Sequence, residues 1–101
     1  MSTILLKDKI EILEKIGIEK QVENSVNKII DFQLAKYQKI IQEITSELKI
    51  FENSFQLTST DFYKKFNSGE IGDASDYIEW ASLYENFVYY NEKIELLKSA
   101  A

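Results

Sequence analysis

Five carboxylates crowd one stretch of sixteen residues with no base among them: Glu70, Asp73, Asp76, Glu79 and Glu85. Acids so placed have three uses. Asp73, Asp76 and Glu79 recur at i, i+3 and i+6, a spacing that sets them on one side of a helix start, where they complement the positive end of the helix dipole. Carboxylate oxygens also suit hard divalent cations. The D-x-D-x-D-G calcium loop is missing, however, and the Glu-x-x-His pairs of di-iron bundles need a histidine that the chain lacks. Third, an acidic patch can meet a Lys- or Arg-rich partner. The metal use is set aside on these grounds; capping and docking both stand.

The absences narrow the chemistry further. Among 101 residues there are 12 Lys and 17 Asp or Glu, net charge −5, and no Arg, His, Cys or Pro. Zinc fingers, Cys-His nucleophiles, Ser-His-Asp triads, disulfides and haem or iron–sulfur ligation through those residues are excluded. Hydrolysis by a carboxylate pair needs no histidine. Even so, a small-molecule pocket is hard to build from two or three helices in a chain this short. The sequence therefore predicts a protein that is not an enzyme, with no catalytic residue, cofactor or metal.

Aromatic residues concentrate beside the acids. Nine of the thirteen lie between Phe62 and Tyr90. Phe62 and Phe66 at i, i+4, followed by Trp80 and Tyr84 at i, i+4, predict a packed tip that closes the loop between two helices. Tyr89 and Tyr90 are adjacent and point about 100° apart on a helix, so at least one is left at the surface. With Glu70, Asp73, Asp76 and Glu79, that tyrosine makes up the expected partner-binding surface. Nucleic acid does not suit it, because Glu70 to Asn91 contains neither Lys nor Arg to interleave with the aromatics.

The elements that position these residues read as helices throughout. No Pro and only three Gly, with abundant Glu, Lys, Ile and Leu, permit long uninterrupted helices. A first amphipathic segment spans about 3–16, with Leu5, Leu6, Ile10, Ile12, Leu13 and Ile16 near helical spacing and Gly17 placed to end it. Thr3 to Leu6 fits an edge strand as well. From about 19 to 52 no breaker occurs, and Val22, Val26, Ile29, Tyr37, Ile41, Ile44, Leu48, Phe51 and Phe55 follow one another at steps of three and four, with Gln33 filling one gap. Extra steps of four around Gln33 to Ile41 straighten any supercoil there. Ile30, Leu34 and Ile40 widen the seam into a face that one helix cannot bury on itself.

Asn53 and Ser54 predict a turn. Thr58 and Asp61 then stand at capping-box spacing before a short helix over 59–67, which Gly69 stops. Either Asp73 or Ser75 caps the last helix, over about 74–98. The expected fold is a single all-α domain over residues 1–101. In it the long helix and the C-terminal helix form an antiparallel hairpin, the short helix closes the tip, and the N-terminal helix folds back or exchanges with a second chain. No apolar run reaches the ~20 residues of a membrane span, and the first residues are charged too early for a secretory leader, so a cytoplasmic location is expected, away from membranes.

Several segments together are distinctive: Ala35-Lys36-Tyr37-Gln38, Glu47-Leu48, Phe51-Glu52, the run from Phe62 to Asp73 containing Phe66-x-x-Gly69-Glu70-x-Gly72-Asp73, Asp76 to Trp80, and Glu79-Trp80-x-x-Leu83-Tyr84-Glu85. Over roughly residues 35–98 the chain resembles a group of small, uncharacterised prokaryotic helical proteins, several of them regarded as antitoxin-like partners in toxin–antitoxin pairs. The group favours Leu where this chain has Ile71. The resemblance implies a protein that sequesters a small basic partner encoded nearby; the basic DNA-binding element that many antitoxins add is not found here. Two functions follow as expectations: a partner-sequestering, antitoxin-like module, or an architectural coiled-coil or helical-bundle subunit with no toxin partner. The uncovered face of the long helix predicts a homodimer in either case.

Overall fold

Three left-handed turns divide the chain into its helices. The computed structural model describes residues 5–100 and contains α1 (Leu6–Lys15), α2 (Glu19–Phe55), α3 (Ser59–Asn67) and α4 (Ser75–Ser99). Gly17 (φ +87°) ends α1 in a Schellman motif, its amide donating to the Glu14 carbonyl at 3.0 Å and the Ile18 amide to the Leu13 carbonyl at 3.3 Å. Gly69 (φ +80°) does the same for α3, through bonds from Gly69 to Phe66 and from Glu70 to Lys65. Between them Gln56, at φ +53°, takes the position that glycine usually fills, and the Leu57 amide reaches back to the Glu52 carbonyl at 3.3 Å.

That third turn corrects the expected end of the long helix. Asn53 and Ser54 stay helical, and α2 runs one turn further than expected, to Phe55. The reason is packing: Phe51 and Phe55, four residues apart on one face, both stack on the Trp80 ring with centroids 5.6 Å away. Contacts of that size outweigh the weak helix propensity of one Asn and one Ser, a few tenths of a kcal/mol, ~0.5, each.

The expected caps hold for α3 and fail for α4. Thr58 Oγ1 accepts from the Asp61 amide at 3.2 Å. Neither Asp73 nor Ser75 caps α4; the N-cap is Ala74, with no side-chain bond, because its carbonyl already accepts from the amides of Tyr77 and Ile78 at 2.9 and 3.1 Å. Asp73 thus falls one position outside the cap and Ser75 one inside. At the N-terminus Leu5 is extended and Leu6 is helical, with the Leu5 amide donating to the Asp8 carboxylate at 3.3 Å. The strand alternative is overturned at Leu6, while Thr3 and Ile4 lie outside the described residues.

Helices α2 and α4 are antiparallel: Phe55 meets Tyr77 at one end and Tyr37 meets Tyr90 further along. Thirty-seven residues make α2 about 55 Å long against about 37 Å for α4, so the first third of α2 projects past the end of its partner. Among the described residues, only α1 lies along that projection. The molecule measures 61 × 29 × 19 Å with a radius of gyration of 20.5 Å, well above the ~13 Å of a compact chain this long. The core sits at the other end. Ile44, Leu48, Phe62, Trp80 and Ala81 are buried together, and α3 closes them in. Phe62 and Trp80, both fully buried, stack at 3.9 Å with ring planes 7° apart.

Candidate protein-interaction surfaces

The expected tip residues assemble around the indole of Trp80. Phe62 stacks on it, Phe66 packs on Phe62 at 5.6 Å, and Tyr84 turns toward Tyr63 at 4.8 Å. Tyr63 and Ser59 belong to this unit, and the sequence did not single them out. The Trp80 Nε1–H donates to Ser59 Oγ at 2.9 Å, and the Ser59 amide donates to a Glu52 carboxylate oxygen at 2.8 Å. Glu52, in the last turn of α2, thereby reaches the N-terminus of α3, where a negative charge meets the positive end of the dipole. Tyr63 Oη donates to Glu85 at 2.8 Å. This hydrogen bond to a carboxylate raises the Tyr63 pKa above its ordinary value, since the phenol must keep its proton to donate.

Glu85 is therefore occupied, and the four remaining acids of the run surround the α3–α4 turn. Glu70, Asp73, Asp76 and Glu79 are all exposed, and among the described residues none of them forms an ion pair with a lysine. No group of three or more carboxylates able to hold a metal ion occurs among the described residues. The tyrosine pair lies elsewhere. Tyr89 is exposed and Tyr90 is half-buried against Tyr37 at 5.5 Å. Tyr89 stands ten residues beyond Glu79, about 15 Å along α4 and turned about 80° around it. Its neighbour is a cation: Lys93 Nζ sits 4.7 Å from the Tyr89 centroid and 5.9 Å from that of Tyr37. Contact with Tyr89 raises the Lys93 pKa and keeps the ammonium charged. The structure gathers the four acids at one end and sets the tyrosines apart with a lysine.

A second surface lies at the opposite end. Leu6, Ile10 and Leu13 of α1 face Val22, Val26 and Ile29 of α2 across an open groove of about 460 Å³. Phe32 is 67% exposed beside it and Ile29 62%. No residue of α1 is buried, and the buried residues of α2, Ile44 and Leu48, both lie beyond this region. The signal for it was in the sequence as a face too broad for one helix. Its position was not, because that depended on where α4 stops.

Fold and surfaces together define a class: an all-helical hairpin with an aromatic core at its acidic end and an uncovered apolar arm at the other. No family model, curated protein or solved structure matches the chain. No helix of the described residues is long and apolar enough to cross a membrane.

Proposed function

We propose that the protein is a cytoplasmic, non-catalytic protein-interaction module that sequesters a small basic protein, in the manner of an antitoxin. One observation carries this reading: the excess negative charge sits at one end of an elongated molecule. Residues 52–85, which build that end, hold seven acids and two Lys, and the rest of the chain ten acids and ten Lys. The acids exposed around the α3–α4 turn outnumber the two lysines beside them, Lys64 and Lys65 in the last turn of α3, and give a basic partner a place to dock. Such charge steers encounter and rejects like-charged partners more than it adds affinity. The resemblance of residues 35–98 to antitoxin-like proteins supports the same reading.

Co-expression with the neighbouring open reading frame, followed by a pull-down and kinetic analysis, tests it. A complex with a small basic protein is expected, with an association rate that falls as salt rises and falls again for Asp73→Lys. Binding equally fast at low and high salt and indifferent to Asp73→Lys sinks the reading and leaves the acids as complements to a helix dipole. The uncovered arm favours a second reading, an architectural helical-bundle subunit. Self-association with no basic partner is its signature.

A further inference from the structure

We infer that the N-terminal arm, α1 with residues 19–32 of α2, is a self-association surface whose occupant is the arm of a second copy of this chain. The inference goes beyond the binding of a basic partner and does not depend on it. Its starting point is that the arm is helical without a core. A ten-residue helix is below the ~12–15 residues at which isolated helices become marginal in water, so α1 needs tertiary cover to persist. The hairpin does not supply it: every apolar side chain of α1 stays exposed or half-buried. Two packed layers are the minimum for a stable helical unit, and the arm is one.

Area and charge identify the second layer. Leu5, Leu6, Ile16, Val26, Ile29 and Phe32 are exposed to between 42% and 73%. With their neighbours they present apolar surface on the order of 500 Å², at the upper end of patches on monomers and, with a polar rim, near the ~800 Å² per partner of a standard interface. Residues 5–32 carry five Lys and six acids, interspersed, so two copies of the arm meet without net repulsion and offer each other both signs. A basic partner gains nothing from this near-neutral surface compared with the acidic end. The acidic ends, by contrast, repel one another and cannot form the contact. Two αα-hairpins pairing about a two-fold axis make a four-helix bundle, whose core takes Leu6, Ile10, Leu13, Val22, Val26 and Ile29 from each chain. A two-fold axis perpendicular to the helices, the choice that keeps the like charges apart, sends the two acidic ends to opposite poles and leaves both free.

Light scattering at tens of micromolar tests the inference. The wild-type chain is expected at twice its 11.8 kDa, unchanged between low and high salt. Ile29→Lys with Phe32→Lys, both at exposed positions, is expected to fall to 11.8 kDa with its α2–α4 core and cooperative unfolding retained. Ile78→Lys with Leu96→Lys, on exposed positions of α4, and Asp73→Lys are expected to stay dimeric. A second readout does not rely on destabilising the dimer. The chain has no cysteine, so Ser25→Cys, on the groove wall, joins two chains through a short bismaleimide, whereas Ser82→Cys on α4 does not. A wild-type mass of 11.8 kDa, a dimer that survives the arm substitutions, or cross-linking at Ser82 rather than Ser25 overturns the inference. Because Asp73→Lys affects only the acidic end, a loss of basic-partner binding with the dimer intact separates the two proposals.

Discussion

The Trp80 indole N–H donates to the Ser59 hydroxyl across 2.9 Å inside the tip, and the same serine donates its amide to Glu52. One small residue at the start of α3 thus ties α4 to α3 through its side chain and α3 to α2 through its backbone. Burial makes the first bond matter. Ser59 is 4% exposed and Trp80 fully buried, so neither group has water to turn to.

Ser59→Ala is expected to destabilise by about 1–3 kcal/mol, the cost of leaving the indole N–H without an acceptor in a dry site. Urea unfolding measures it. The double variant Ser59→Ala with Trp80→Phe removes both polar groups and is expected to be less destabilised than the sum of the two single changes. Strict additivity would mean that the hydrogen bond contributes nothing.

Trp80→Ala is expected to cost about 3–5 kcal/mol, because it empties the site on which Phe51, Phe55 and Phe62 stack. Asp76→Ala, at an exposed position in the first turn of α4, is expected to cost about 0.3–1 kcal/mol. Thermal melts compare the two directly. Equal midpoints would contradict the burial of the indole.

The helices were legible because their signals are local. Gly17 and Gly69 stop α1 and α3 by the left-handed backbone that only glycine adopts without penalty, and Thr58 caps α3 with its own hydroxyl. Phe62, Phe66, Trp80 and Tyr84 announced a packed tip by their spacing. The extra turn of α2 was not legible, because Asn53 and Ser54 are held helical by Phe51 and Phe55 meeting a tryptophan far along the chain. Ser59 was silent for the same reason: nothing within a few residues of it names Trp80 as a donor. The α4 cap was missed because Asp73, Ala74 and Ser75 differ only in register, and two residues of good capping chemistry flank the one that does the job. Of the expected surface, the acids do share one end, while Tyr89 and Tyr90 were grouped with them by sequence proximity that ten residues of helix turn into distance.

Two backbone positions carry opposite expectations. Gln56→Gly removes the penalty of a side chain at φ +53° and is expected to stabilise by up to about 1 kcal/mol, offset in part by losing the bond from Gln56 Nε2 to the Asn53 carbonyl. Gly69→Ala is expected to destabilise by about 1 kcal/mol. A Cβ there meets nothing within 4 Å, so the whole effect comes from the backbone at φ +80°. Denaturant melts that moved in the same direction for both would refute the account of the turns.

Alkaline pH isolates the Tyr63–Glu85 bond. Because the carboxylate raises the folded-state pKa of Tyr63 above its unfolded value of about 10, the bond's contribution is fully present below that pH. As pH rises through the higher folded-state value, the phenol loses the proton that it donates, two negative charges face each other, and the contribution disappears. Tyr63→Phe keeps the ring against Tyr84 and removes only the hydroxyl. The variant is therefore expected to be modestly less stable than wild type at neutral pH, with the gap closing at alkaline pH. Paired urea titrations at neutral and strongly alkaline pH check this: a gap that stays constant, or widens, with pH would show that Tyr63 does not donate to Glu85 in solution.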